Sequence, residues 1–507
     1  MASSPDLNNV LEEHGLEFGA DQHLRWSAHS HYHPRNWDWR RKTYDATLIM
    51  MLEMLMSVMS TVGSAVSDQA RSEFGYEKTV GYFAFTSAYL LGEGFGGIFL
   101  PPISESFGRK FVYVAATLLC SVFCIIPALT PPQLNGSVAL LIFGRAAAGV
   151  VNSVPATVAP GSLEDMFDEK QRIWTVAAWT TASNTGVLFG PIYGSYVTAY
   201  LGWRWVFWIS AIVMAVCFIL TLFLRESRST QLLQQKLDEI LAIINSSPDT
   251  TGANPPLRIH NPDEVLSLNA FLTTTLFRPL RLLFTEPIVI LCSALNAISF
   301  AMIYGLTEGL TIVYSSPAYA LPDAHTTSSL AFVPLILGLF FSLPFRLHDV
   351  RRFRGGLHDA APERKLTSFA IAVPALALGF WVFAWTIPPL VPRAPMLLSL
   401  AALVPVGFAI NDLDSVLCGY MADVYGMYAA SAFSALSLLR ALCAAAFPLF
   451  AEDMFVHLGA NGAASVLAAV ATVFCVSPWV LLRYGRRLRE RSAGRMRLRP
   501  SQRLMSR

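Results

Sequence analysis

Charge is what this sequence has least of. Lys, Arg, Asp and Glu make up 14% of the 507 residues, against about 25% in an ordinary soluble protein. Hydrophobic residues make up 54%, more apolar side chain than a water-facing fold can hide. The seven cysteines form no Cys-x-x-Cys and all lie within apolar runs, which excludes a disulfide or zinc scaffold and reads them as small buried hydrophobes. Residues 1–45 are polar and lack the apolar core of a cleavable signal peptide. No Ser/His/Asp set, metal-ligand cluster or phosphate loop stands in a context that supports catalysis, so no enzyme activity, cofactor or metal is expected. Five of the ten histidines crowd into the first 45 residues, where solvation accounts for them. A net charge of +2 makes no case for a nucleic-acid partner.

Long apolar runs are what is present. A membrane span needs about 20 mostly apolar residues. Candidates fall at 46–66, 79–99, 111–129, 138–160, 174–198, 203–224, 287–308, 328–345, 367–387, 394–417, 429–450 and 462–482. The chain therefore reads as an all-α membrane protein of twelve transmembrane helices in two six-helix halves. The halves are 46–224 and 287–482, joined by a polar linker at 225–286 and flanked by tails at 1–45 and 483–507. With the N-terminus inside, 31 of the 37 Lys and Arg fall in cytoplasmic segments and 4 outside, which supports cytoplasmic termini. Asn135, in Asn-Gly-Ser, then lies outside as a glycosylation acceptor. The linker opens with an amphipathic piece (Leu232, Leu233, Leu237, Ile240, Leu241, Ile244), and a second short helix is expected around Val265 to Phe271. The basic tail after the last span reads as a topology signal that touches anionic lipid.

The stretch "LLGEGFGGIF", Leu90 to Phe99, has the glycine spacing of a dinucleotide loop. That pattern carries meaning only between a strand and a helix. Inside a span, its glycines read instead as a smooth face for close packing, and Glu93 as a carboxylate in the membrane. Charges in hydrocarbon are costly and face a cavity or a partner. The others are Glu53, Arg145, Glu308, Asp412, Asp414 and Arg440. Glu53 and Glu93 sit on neighbouring spans and are expected to face one central cavity with Arg145. A carboxylate that alternates between a dry and a paired environment can take up and release a proton. Asp412 and Asp414 lie two apart, so at most one faces the cavity. Glu308 closes span 7 and can equally sit in water at the outer interface, and Arg440 can equally serve as a structural hydrogen-bonding group.

Several stretches carry a resemblance. "PPISESFGRKFVY", from Pro101, resembles the signature loop of the major facilitator superfamily, with Glu105, Gly108, Arg109 and Lys110 matching and Pro101 in place of the opening glycine. "GRAAAGV", with Arg145 and Gly149, is similar to the family's span-four motif, and Asp165 to the acid that ends that span. "GVLFGPIYG", with Gly186, Gly190, Pro191 and Gly194, is similar to the span-five motif of exporters. Together with "LGWRWVFWI", "RPLRLLFTEPIV", "APERKL" and the run from Met421, these stretches resemble the fungal twelve-span drug:proton antiporters, a group with multidrug, polyamine and secondary-metabolite exporters. In that branch Pro-Glu-Thr follows span 6; here it is "RES", Arg225 to Ser227.

The resemblance implies proton-coupled export of a small organic molecule by alternating access, in the cell membrane and as a monomer. It implies that the signature loop locks the cytoplasmic side by charge pairing and ties Arg145 to proton coupling. No family role reaches Glu93, where an apolar residue is the expectation. A proton symporter that imports a nutrient and a non-transporting sensor of the same fold are the alternatives. Substrate charge stays open, because the carboxylates suit a cation while Arg145 and Arg440 suit an organic acid.

Overall fold

The computed structural model describes residues 11–18, 23–246, 277–319, 323–352, 366–390, 396–425 and 429–497. The second linker helix, expected around Val265 to Phe271, and "APERKL" lie outside them. Nine helices among the described residues are long and apolar enough to cross a membrane, and two bent pairs raise this to eleven. Span 1 is the bent pair Trp39–Thr61 and Gly63–Phe74. Spans 2, 3 and 4 are Lys78–Phe107, Arg109–Leu129 and Ser137–Met166, and span 6 is Trp203–Leu222. Spans 7 to 10 are Pro287–Tyr314, Thr326–His348, Thr367–Thr386 and Met396–Ala422. Span 11 is the pair Ser431–Ala446 and Pro448–His457, and span 12 is Gly459–Leu488. The helix Glu169–Leu201 is the remaining one, span 5. It has the length to cross, but buries Thr180, Thr181, Ser183 and Asn184, which lowers its apolar content.

Each half has its own apolar core, one centred on residues such as Leu52, Phe85, Val112 and Phe207, the other on Phe332, Phe369, Phe380 and Leu467. The halves meet where span 2 packs on span 11 and span 5 packs on span 8. Residues such as Phe95, Phe111, Ile219 and Val473 are exposed on the outside of the bundle, as a lipid-facing surface requires.

Two spans of the first half are broken, and the cause is visible. Span 1 bends by 43° after Thr61 without a proline. Span 2 contains a π-helical turn at Phe83–Ser87. The buried guanidinium of Arg145 reaches both breaks, donating to the Met59 carbonyl at 2.6 Å and to the Phe85 carbonyl at 2.6 and 2.9 Å. Carbonyls drawn off to a side chain weaken the helical ladder locally. The 44° bend in span 11 has the simpler cause of Pro448.

Outside the bundle, the N-terminal segment forms a short hairpin, with strand Leu16–Phe18 antiparallel to Leu24–Trp26. Three-residue strands are too short to stand alone. Leu16 and Leu24 are held against Leu233, Leu237 and Ile240 of the linker helix Ser229–Ser246, and Trp26 Nε1 donates to the Ser229 carbonyl at 3.2 Å. Part of the polar tail is thus folded against the linker helix.

Candidate functional site

A small cavity lies midway along the bundle between the two halves. The first half lines it with Glu53, Ser57, Ser60, Glu93 and Ser183, and the second with Phe300, Tyr304 and Arg440. Glu93 projects from span 2 because Gly92 and Gly96 flank it. A Cβ at Gly92 would run into the Ala146 carbonyl, and one at Gly96 into the Val150 carbonyl, so these glycines let spans 2 and 4 touch. On the next face, a Cβ at Gly94 would press on Ala441 of span 11. Glu93 thereby reaches both neighbours. It accepts from Asn152 Nδ2 at 3.1 Å and from Arg440 Nη2 at 3.2 Å. The Arg440 pair joins the two halves at mid-bundle, with the guanidinium 4.6 Å over the Phe300 ring.

Glu53, 2% exposed, is held differently. Its Oε1 accepts from Ser183 Oγ at 2.6 Å and more weakly from Ser57 Oγ at 3.5 Å, and its Oε2 has no hydrogen-bond partner. Its hydrogen-bond support comes from hydroxyls alone among the described residues. Two acids thus face one cavity, one paired with a cation and one not.

The remaining intramembrane charges separate cleanly. Arg145 does not join Glu53 and Glu93, which corrects the expectation of a shared site. Besides its carbonyl bonds, it lies 4.3 Å over the Tyr89 ring, and no carboxylate pairs with it among the described residues. Its motif spacing is intact, but the π-helical turn of span 2 supplies nearer acceptors. Asp414 accepts from Asn296 at 2.9 Å and Asn184 at 3.4 Å. Asn184 also donates to Asn411 at 3.1 Å, and Asn411 to Thr181 at 2.8 Å, so this network stitches span 5 to span 10. Asp412 points away from it, toward Arg346 and Ser368. Neither aspartate lines the cavity. Glu308 is buried rather than set in interfacial water, and it too lies off the cavity, beside Tyr82, Glu452 and Asp68.

Residues 47–448 match the Major Facilitator Superfamily. The chain belongs to that family. Its members are transporters, not enzymes. Efflux pump radE of Floropilus chiversii is 28% identical over 90% of this chain and 82% of its own length. Major facilitator superfamily multidrug transporter mdrA of Aspergillus fumigatus is 28% identical over 92% of this chain and 74% of its own. Among solved structures, the proton:xylose symporter XylE superposes with a TM-score of 0.60 at 14% identity, covering 88% of this chain and 97% of that one. That likeness speaks for the fold alone, a twelve-helix membrane bundle.

In a major facilitator chain the signature loop is the natural place to look next. Arg109, at the start of span 3, pairs with Asp165 at the end of span 4 at 2.8 Å and lies within 3.3 Å of Ser104, and Glu105 is close enough to act on its charge. Glu226 of "RES" completes the arrangement. Its carboxylate accepts the backbone N–H groups of Arg109 and Lys110 at 3.0 and 3.1 Å, capping the positive end of span 3. Gly108 has φ +96°, and a Cβ there would meet the Glu226 carboxylate, so the turn needs glycine. Gly186, Gly190 and Gly194 of span 5 press on Met54, Val58 and Val62 of span 1, where any Cβ would collide. Pro191 lies inside the same helix. Asn135 sits exposed in the turn before span 4.

Sequence reasoning missed Arg346, Asn152 and Tyr304. Arg346 follows a span boundary drawn at 345 and reads as a loop charge. Asn152 and Tyr304 are ordinary residues until a carboxylate is placed beside them; only the buried acids themselves hinted that partners had to exist.

Proposed function

We propose that this chain is a proton-coupled exporter of small organic molecules that works by alternating access in the cell membrane, with both termini cytoplasmic and the monomer as the working unit. The observation that carries the reading is the pair of acids at the interface of the halves. Glu93 binds Arg440 across that interface, while Glu53 sits beside it without a cation. A proton on Glu93 removes the charge that holds Arg440, and loss of that proton restores it. Separation of the halves is thereby tied to protonation. Direction follows from the likeness to an efflux pump and a multidrug transporter and from the span-5 glycines. As it stands the cavity has room for no more than about a water or two, so cargo of any size requires the halves to part.

The test is efflux from expressing cells with an imposed proton gradient. Glu93→Gln keeps an acceptor for Arg440 and Asn152, so the protein reaches the membrane in normal amount while gradient-driven efflux is lost. Full efflux by that variant removes Glu93 from the mechanism. Accumulation in place of depletion turns the reading into import.

A further inference from the structure

Span 7 carries a second buried carboxylate that the central cavity does not include. Glu308 is 3% exposed, and its Oε1 has no hydrogen-bond partner. It lies toward the end of the bundle where Lys78 of span 2 pairs with Glu452 of span 11, opposite the Arg109–Asp165 end. Tyr82, Glu452, Asp68 and Lys78 surround it. In a purely structural network a buried acid ends with its oxygens satisfied. This one does not, nor do Glu53 and Asp412, and hydroxyls lead from Glu308 towards Glu53.

Between the two acids runs a line of hydroxyls along the wall that also holds Glu93 and Arg440. Tyr304 stands one turn from Glu308 on the same face of span 7, about 6 Å along the axis. Its hydroxyl is 2.7 Å from Ser60 Oγ on span 1. Ser60 gives its own proton to the Ser57 carbonyl at 2.7 Å, which makes Tyr304 the donor of the pair. Ser57 Oγ lies 3.3 Å from Ser183 Oγ on span 5, and Ser183 donates to Glu53. Tyr304, Ser60, Ser57, Ser183 and Glu53 all face the cavity, among Leu90, Val187, Phe300, Ala441 and Ala444. Serines in membrane helices commonly bond their own preceding carbonyl and do no more. Here three helices from both halves aim hydroxyls at one path between two acids, each with an unsatisfied oxygen.

We propose that Glu308 is the entry carboxylate of a proton relay that passes through Tyr304, Ser60 and the Ser57–Ser183 pair to Glu53. The inference rests on the proton-coupled reading above and adds the route. A hydroxyl both accepts and donates, so each one takes a proton on one side and gives one on the other once Ser60 turns its hydrogen away from the Ser57 carbonyl. The net change is one proton lost from the Glu308 carboxyl and one gained by the Glu53 carboxylate. Every hydroxyl ends neutral. Two steps are not direct hydrogen bonds, Glu308 to Tyr304 and Ser60 to the Glu53 side, and the relay requires a bridging water at each. Glu93, Arg440 and Asp414 set the charge around the receiving end; Tyr304 and the serines are positioning residues, not substrate ligands.

The test needs no transported substrate. The purified full-length chain is given a rapid drop in pH, and infrared difference spectra follow the carbonyl stretch of newly protonated carboxyls, with Glu53→Gln identifying the band of Glu53. Glu308→Gln, Tyr304→Phe and Ser60→Ala are each expected to slow the rise of that band by about ten-fold or more, while its final amplitude is unchanged. Ser60→Thr, which keeps the hydroxyl, restores the rate. A Glu53 band that rises at the native rate in every folded variant overturns the relay and leaves proton coupling standing. Absence of any Glu53-dependent band in the native chain overturns the relay too, while the coupling reading falls only if Glu93→Gln keeps full gradient-driven efflux. Three variants on two helices keep the test available if one of them fails to fold.

Discussion

Replacing Arg440 by Met is the most informative single perturbation of this molecule. The guanidinium is 7% exposed and binds Glu93 at 3.2 Å. Without it, Glu93 keeps only the neutral Asn152 amide. Breaking a buried pair by removing one partner costs about 3–5 kcal/mol, because a charge is left without compensation. Removing both partners is close to neutral when the replacements pack. Arg440→Met is therefore expected to lower unfolding free energy by about 3 kcal/mol or more, and Arg440→Met with Glu93→Gln to regain most of that loss. Unfolding by SDS titration in mixed micelles, followed by tryptophan fluorescence, measures all four corners of the cycle. Efflux assays on the same proteins separate stability from function, since the double variant folds but has lost both the titrating acid and its cation. A coupling energy below about 0.5 kcal/mol shows that the two side chains do not recognise each other. Proton-driven efflux by the well-folded double variant refutes the role of the pair.

Two further outcomes follow from the packing and from the tail. Gly190→Leu drives a side chain into Thr61 and the Val58 backbone and is expected to cost about 1–3 kcal/mol or more; Gly419→Ala, where the space is open, stays within about 0.5 kcal/mol, and the SDS titration reads both. His33 is pushed below its ordinary value by burial, with Arg35 and Lys42 adding to the effect and Asp165 opposing it. The undocked tail therefore binds the proton more readily, and docking that is complete above the ordinary histidine pKa weakens as pH falls through it. Cleavage of the tail by a protease, normalised to an unstructured peptide, is expected to be faster at about pH 5.5 than at about pH 7.5. His33→Gln flattens this dependence; equal rates in the native chain at both pH values exclude it.

The bundle was legible because its signal is repeated. Twelve apolar runs say the same thing many times, and the family match and the fold agree with that reading. The site was legible only in its acids. An isolated carboxylate in a span announces itself by cost, so Glu53 and Glu93 stand out. Their partners do not, because Arg440 lies 347 positions from Glu93 and on the other half of the molecule. Arg145 misled for the opposite reason. Its motif invites pairing with an acid, yet the π-helical turn at Phe83–Ser87 and the bend after Thr61 offer carbonyls instead. No proline or glycine spacing marks either break strongly enough to be read in advance. The N-terminal hairpin escaped notice because it rests on two leucines, Leu16 and Leu24, whose partners lie beyond residue 230.

The position of Arg145 bears on how the two acids are aimed. It holds span 1 at the Met59 carbonyl and span 2 at the Phe85 carbonyl. Those points lie on the two spans that carry Glu53 and Glu93, roughly two turns from each acid. A cation tied to backbone leaves the acids electrostatically alone but fixes the angles at which their helices enter the cavity. On the proposed coupling, its effect is geometric. The cation that acts on charge is Arg440, on the opposite half, and it is bound to the one acid that the family pattern does not call for. Any motion that parts the halves must break this contact or neutralise it. A proton on Glu93 does the second at far lower cost than dragging two bare charges apart in a cavity with little water. On the proposed reading, that difference makes the closed arrangement stable without a proton and free to open with one.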